Sequence, residues 1–183
     1  MIDDLTITPM DVAAATLVTS WRYPPPYEIY SLDEDQAMLV AAFSHPAYGY
    51  FQLRQGGALV GFCCFGDEGR VLGGDYTTPA LDVGISMRPD LTGRGMGRRY
   101  MGAVLAFAEL RFCPPTLRLT VASFNLRARQ LYARLGFRSV QQFVSLSSGR
   151  EYQVMLRAGG AVELDGPAQG GYTSQANGDD GDG

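Results

Sequence analysis

The segment Thr92-Gly93-Arg94-Gly95-Met96-Gly97 sets three glycines within five residues directly ahead of a helix-forming stretch. A chain that turns there and enters a helix leaves its first backbone N–H groups without helical acceptors, fanned outward together. Those groups and the positive end of the helix dipole favour negative charge, so the spacing predicts a phosphate-bearing ligand. A dinucleotide-binding turn would instead set Gly-x-Gly-x-x-Gly at the very end of a strand. It would also set an acid roughly 20 residues further on, at the end of the next strand. Here Arg88 to Thr92 intervene, the spacing is Gly-x-Gly-x-Gly, and the next strand runs out in Ala122-Ser123-Phe124. The dinucleotide reading fails on all three counts. A turn made only for packing would not need three glycines beside Arg94, Arg98 and Arg99.

Other chemistries are excluded by residue type. All 15 basic residues are arginine, so Schiff-base catalysis and a P-loop lysine are absent from the repertoire. His45 is the single histidine, and Cys63, Cys64 and Cys113 lack metal-ligand spacing, so no metal is expected. Cys63 and Cys64 read as small strand residues pointing to opposite faces. Three cysteines without a disulfide framework suit a reducing, cytoplasmic setting. The net charge of −4 is uneven: residues 158–183 hold five acids and no base, which leaves the remainder at +1. A near-neutral body offers no basic face for nucleic acid. The beginning MIDDLTITPM has neither the basic start nor the apolar core of a signal peptide, and no apolar run is long enough to span a membrane.

The elements that must position the glycine turn follow from periodicity. Leu5 to Thr8 predicts a strand and Met10 to Val18 a helix, with Asp11 near its positive end. Trp21 to Tyr30 is a proline-stiffened aromatic loop. Leu32 to Phe43 has helical spacing, with Ser31 expected as N-cap and Glu34 completing a capping box. Tyr50–Arg54 and Ala58–Phe65 predict a hairpin, Gly66–Pro79 a loop, and Leu81–Met87 a strand. The helix from Gly97 stops before Pro114-Pro115. Thr116–Val121 alternates as a strand, Asn125 caps a helix to Leu135, and Gly136 ends it. Phe137–Ser145 and Glu151–Arg157 predict a last hairpin. The chain from 158 to 183 is Gly-rich and acidic, too poor in large apolar residues to offset its ordering entropy, and is expected to be a disordered tail. Residues 1–157 then form one domain of α/β class, a curved mixed sheet with helices on both faces.

With its turn, Asn125, Leu131-Tyr132 and Gly136-Phe137 in this order, the chain resembles the GNAT superfamily of acetyl-CoA-dependent N-acetyltransferases. That family's motif reads Gln/Arg-x-x-Gly-x-Gly/Ala between a strand and a helix, matched here by Thr92 to Gly97. The likeness is strongest from Leu81 to Phe143, and the order of elements from Leu5 to Arg157 fits the family's fold. Thr92 departs from the usual Gln or Arg, and Arg94, Arg98 or Arg99 are candidates for the missing charge.

The resemblance implies acetyl-CoA as cosubstrate, with Ile85, Ser86 and Met87 offering backbone groups to the pantetheine arm. It implies that Thr92, Gly93, Arg94, Gly95, Met96, Gly97 and Arg98 cradle the pyrophosphate. Asn125 would bond the cofactor, and Tyr132 would protonate the departing thiolate. Asn125 and Tyr132 are seven residues apart, two helical turns, so they share a face. An amine acceptor also needs a proton acceptor, because alkyl ammonium groups stay protonated at neutral pH. Asp82 is favoured among Asp82, Asp75 and Glu28. By alternation Asp82, Gly84 and Ser86 share one face of the strand, and Val83, Ile85 and Met87 the other. Trp21, Tyr23, Tyr27 and Tyr30 are candidate walls of the amine pocket. The implied reaction is direct transfer to a primary amine in a ternary complex. The alternative is a non-catalytic acyl-CoA-binding or sensor domain on the same scaffold. A homodimer through the C-terminal strand is compatible with the sequence.

Overall fold

The computed structural model describes residues 4–160, so the expected tail lies almost wholly outside the described residues. Seven strands form one sheet: β1 (Leu5–Pro9), β2 (Tyr50–Gln55), β3 (Ala58–Phe65), β4 (Leu81–Met87), β5 (Thr116–Ala122), β6 (Arg138–Val144) and β7 (Glu151–Ala158). Their order across the sheet is β1-β2-β3-β4-β5-β7-β6, and every neighbouring pair is antiparallel except β4 with β5. Four helices cover the sheet: α1 (Val12–Thr19), α2 (Gln36–Ser44), α3 (Gly97–Phe112) and α4 (Leu126–Arg134). The expected mixed α/β layers are therefore present.

Two cores follow from strand alternation, which sends successive side chains to opposite faces. On one face Phe51, Leu53, Cys63, Phe65, Val83, Leu117, Leu119 and Val121 pack against Tyr100, Met101, Val104, Leu105 and Ala108 of α3, with Leu131 and Tyr132 of α4 at the border. On the other, Leu59, Phe62 and Tyr50 pack against Ala14, Ala15, Val18, Phe43 and Leu39 of α1 and α2. Cys63 and Cys64 are both buried, as expected of small strand residues. β6 is the outer edge strand, and Val140 and Val144 are exposed on it.

Two helix starts differ from expectation. The α1 helix begins at Val12, where Asp11 Oδ1 accepts from Ala14 N at 2.7 Å. The α2 helix begins at Gln36, not Leu32, with Asp35 as its N-cap accepting from Met38 N at 2.9 Å. Ser31 cannot cap it because its hydroxyl accepts from Tyr23 N at 2.9 Å and closes the aromatic loop. Leu32 is drawn into the second core instead.

The feature that makes a site is the parting of β4 and β5. Their parallel pairing covers only Leu81–Leu117 and Asp82–Arg118; beyond that the strands diverge. A ladder that breaks off mid-sheet leaves unpaired backbone groups along the opening.

Candidate active site at the parting of two strands

Backbone hydrogen bonds assign the open edge. Gly66 N donates to Asp82 O at 3.0 Å and Arg88 N to Val60 O at 2.9 Å, so even-numbered β4 residues turn their backbone groups towards β3. Antiparallel alternation then points the N–H and C=O groups of Ile85 and Met87 into the gap. This corrects the expectation for Ser86, whose backbone is turned to β3 opposite Phe62.

Between the end of β4 and the start of α3 lies the glycine turn. Gly93 and Gly95 have φ of +77° and +80°, a region that only glycine adopts without strain. Arg88 is anchored to Asp90 at 2.7 and 3.1 Å and to Leu59 O at 3.1 Å, which fixes the entry to the turn. Gly95 with φ +80° followed by right-handed Met96 (φ −78°, ψ −10°) has the left-then-right alternation from which a backbone nest is built. The 16-residue α3 follows with no side-chain cap and no acid in its first turn. Space around Gly95 is open, since a Cβ built there meets nothing within 4 Å. Gly97 has a different reason to be glycine: a Cβ there would stand 3.0 Å from Leu131 Cδ2, so it lets α3 and α4 approach. Thr92 spends its hydroxyl on Pro89 O at 2.8 Å, and Arg99 lies 3.6 Å from the Asp4 carboxylate.

The α4 helix forms the other bank. Asn125 caps it through Oδ1, which accepts from Ala128 N at 3.2 Å, while Nδ2 donates to the Tyr30 hydroxyl at 3.0 Å. Two turns on, the ring of Tyr132 packs edge-on against Phe137 with centroids 6.2 Å apart. Its hydroxyl has no hydrogen-bond partner among the described residues. Burial pushes that phenol well above its ordinary pKa and the neighbouring Tyr30 adds to the effect, so the hydroxyl holds its proton at neutral pH.

The aromatic loop spans the gap from above. Tyr23 Oη donates to Met87 O at 2.7 Å, and Tyr30 is held by Asn125 on the opposite bank. Tyr27 stacks near Tyr30 with centroids 6.4 Å apart, and Phe124 fills in at 5.8 Å from Tyr27 and 6.5 Å from Tyr30. Burial pushes the Tyr23 phenol up to about 12. The structure brings three of the four expected wall residues together. Trp21 is the exception: its ring packs 6.1 Å from Phe62 within the second core. Phe124 belongs to the wall and went unnoticed in the sequence, where its place ahead of Asn125 was the available signal.

The carboxylates are distributed unlike the expectation. Asp82 is 1% exposed, and its two oxygens are held by Arg118 Nε at 2.6 Å, Arg118 Nη2 at 2.8 Å and Arg70 Nε at 2.8 Å. Arg118 also donates to Thr78 O at 2.7 Å and lies 4.9 Å from the Tyr76 ring centroid. Asp82 thus pins the Gly66–Pro79 loop to β4 and β5 where they part. A carboxylate locked between two guanidiniums serves there as a brace, with both oxygens already occupied. Asp75 is exposed and bound by Thr77 at 2.6 and 2.9 Å, which holds its carboxyl below the usual range. Glu28 is exposed on the aromatic loop between Tyr27 and Tyr30.

Comparison with known proteins agrees with this geometry. The sequence profile of the acetyltransferase (GNAT) family matches residues 15–137. The chain belongs to that family. Acetyl-CoA is the cosubstrate which this membership assigns, and the open β4 edge, the nest and the clear space at Gly95 fit such a molecule. Among solved structures, a spermidine N-acetyltransferase chimera from Vibrio cholerae and hSSAT superposes with a TM-score of 0.69 at 16% identity, covering 85% of this chain and 95% of its own. A putative acetyltransferase from Salmonella typhimurium with its cofactor acetyl-CoA gives 0.60 at 18% identity over 91% and 100%. A putative GNAT-family acetyltransferase from Bordetella pertussis gives 0.65 at 20% identity over 86% and 98%. At such identities the likeness is one of fold. No curated protein sequence matches the chain. Among the described residues no cluster of metal-ligating side chains occurs, and no helix is long and apolar enough to cross a membrane.

Proposed function

We propose that this chain is an acetyl-CoA-dependent N-acetyltransferase that passes the acetyl group directly to a primary amine while both substrates are bound. The observation that carries this reading is the gap itself. It is flanked by the unpaired β4 edge at Ile85, by the glycine turn from Gly93 to Gly97, and by α4, which carries the protonated Tyr132 phenol.

Acetyl-CoA supplies an acyl group activated as a thioester. The nest and the uncapped start of α3 would hold its diphosphate, and the β4 edge its pantetheine arm. A free N–H on that edge is a ready donor for charge developing on the acyl oxygen. The Tyr132 hydroxyl carries the proton that the leaving sulfur requires. No partner competes for that proton, and burial disfavours its loss to bulk solvent. Tyr23, Tyr27 and Tyr30 form the wall against which the amine lies. Glu28, the one carboxylate on that loop, is the acceptor for the amine's proton. No Ser/His/Asp or Cys/His arrangement for an acyl-enzyme occurs among the described residues, since Cys63 and Cys64 are buried and His45 caps a turn at Ala47 N.

The free thiols of Cys63, Cys64 and Cys113 suit a cytoplasmic setting. The C-terminal strand β7 is paired on both sides, by β5 and β6, so a homodimer contact would form at the exposed β6 edge and not through β7 as expected. Release of free CoA thiol from acetyl-CoA, followed across small amines, amino acids and peptide N-termini, tests the activity. Absence of amine-stimulated release with every class, despite tight acetyl-CoA binding, would leave the sensor reading in its place.

A further inference from the structure

The glycine turn lacks the Gln or Arg side chain usual at position 92, and Thr92 spends its hydroxyl on Pro89 O. A cation does reach the turn, but from α4. Arg127 sits in the first turn of that helix, and a Cβ built on Gly93 would come within 2.9 Å of its Nη1. The guanidinium carbon lies 4.7 Å from the centroid of the Tyr27 ring. Most other arginines near carboxylates are neutralised: Arg70 and Arg118 by Asp82, Arg88 by Asp90, Arg157 by Glu109. Arg127 has no carboxylate partner among the described residues. A guanidinium held against an aromatic face beside Gly93, with no carboxylate to neutralise it among the described residues, is pre-organised for a phosphate.

We propose that Arg127 is the diphosphate-binding cation of this site, and that Tyr27 positions it. The proposal rests on the acetyltransferase reading and adds a residue to it. It replaces Arg94, Arg98 and Arg99 as the source of the charge that Thr92 does not carry. It also gives Tyr27 two tasks, one face towards the acceptor wall and one holding the cation at the phosphate. Cosubstrate binding and the shape of the acceptor wall are thereby linked through a single ring–cation contact.

Titration calorimetry with acetyl-CoA and with 3′-dephospho-CoA, which keeps the diphosphate but lacks the 3′-phosphate, tests this. Arg127→Ala should weaken both ligands by the same factor, about tenfold, as expected for one charge-assisted contact. The loss should shrink as salt is raised. Arg127→Lys should recover part of it. Tyr27→Leu should weaken both ligands about threefold, and combining it with Arg127→Ala should add nothing further. Unliganded Arg127→Ala should unfold at the wild-type temperature. Unchanged affinity in Arg127→Ala overturns the proposal, and so does a loss seen only with the ligand bearing the 3′-phosphate. A wild-type chain that binds neither ligand overturns the acetyltransferase reading itself, whereas tight wild-type binding with an indifferent Arg127 overturns this assignment alone.

Discussion

Replacing Asp82 separates a brace from a base. Its two oxygens take three guanidinium contacts of 2.6, 2.8 and 2.8 Å at 1% exposure, at the last residue pair joining β4 to β5. Asp82→Ala would leave the Arg118 guanidinium buried without its counter-charge. Breaking a buried pair from one side costs about 3–5 kcal/mol. For a domain of this size each kcal/mol moves the unfolding midpoint by roughly 2–4 °C, so a fall of roughly 6–20 °C follows. Asp82→Leu combined with Arg118→Met removes both charges and should recover most of that loss, because a well-packed apolar pair avoids the desolvation cost. Thermal and urea unfolding followed by circular dichroism would measure the stability, and thiol release well below the lowered midpoint the activity. A brace predicts that the double variant is stable and active. A stable but inactive double variant, or an Asp82→Ala chain within about 1 kcal/mol of wild type, would refute the reasoning.

Three further outcomes are expected. Tyr132→Phe should lower kcat by about a hundredfold or more while leaving acetyl-CoA affinity unchanged in calorimetry, since it removes only the proton donor proposed for the leaving thiolate. Gly97→Ala should change stability by less than about 1 kcal/mol in urea titration, because the push of the new methyl on Leu131 Cδ2 at 3.0 Å offsets the gain of alanine over glycine in a helix. Tyr23 makes stability fall in alkali. Its folded pKa of about 12 exceeds the unfolded value near 10, so its contribution is complete below pH 10 and is lost as pH rises towards 12. Tyr23→Phe should flatten that descent in unfolding curves taken from pH 9 to 12.

What the sequence made legible was local. The glycine turn, the Asn125 cap and the two-turn spacing to Tyr132 each depend on residues within a few positions, and each stands where expected. Helix starts went astray where two capping residues competed. Ser31 was drawn off by the Tyr23 amide, eight residues back in the chain, leaving Asp35 the task. Asp82 was illegible because its partner, Arg118, lies 36 residues away and becomes a neighbour only through the parallel pairing of β4 with β5. Trp21 and Tyr23 belong to one aromatic run, yet one faces Phe62 and the other Met87, a division set by tertiary packing and not by composition. Arg127 two residues beyond Asn125 gave no hint that Tyr27 would meet it. A stretch separated by a hundred residues of chain supplies the ring.

The loop that carries Tyr23 and Tyr30 is moored to both sides of the opening, at Met87 on one strand and Asn125 on the far helix. A bridge fixed at two piers has a set span. Its residues between the moorings can change in kind without disturbing either pier, whereas one inserted or deleted residue would pull a hydroxyl off its mooring. Change along this loop is thereby confined to side-chain exchange among positions 24 to 29, and the spacing between Met87 and Asn125 that the two hydroxyls bridge is kept.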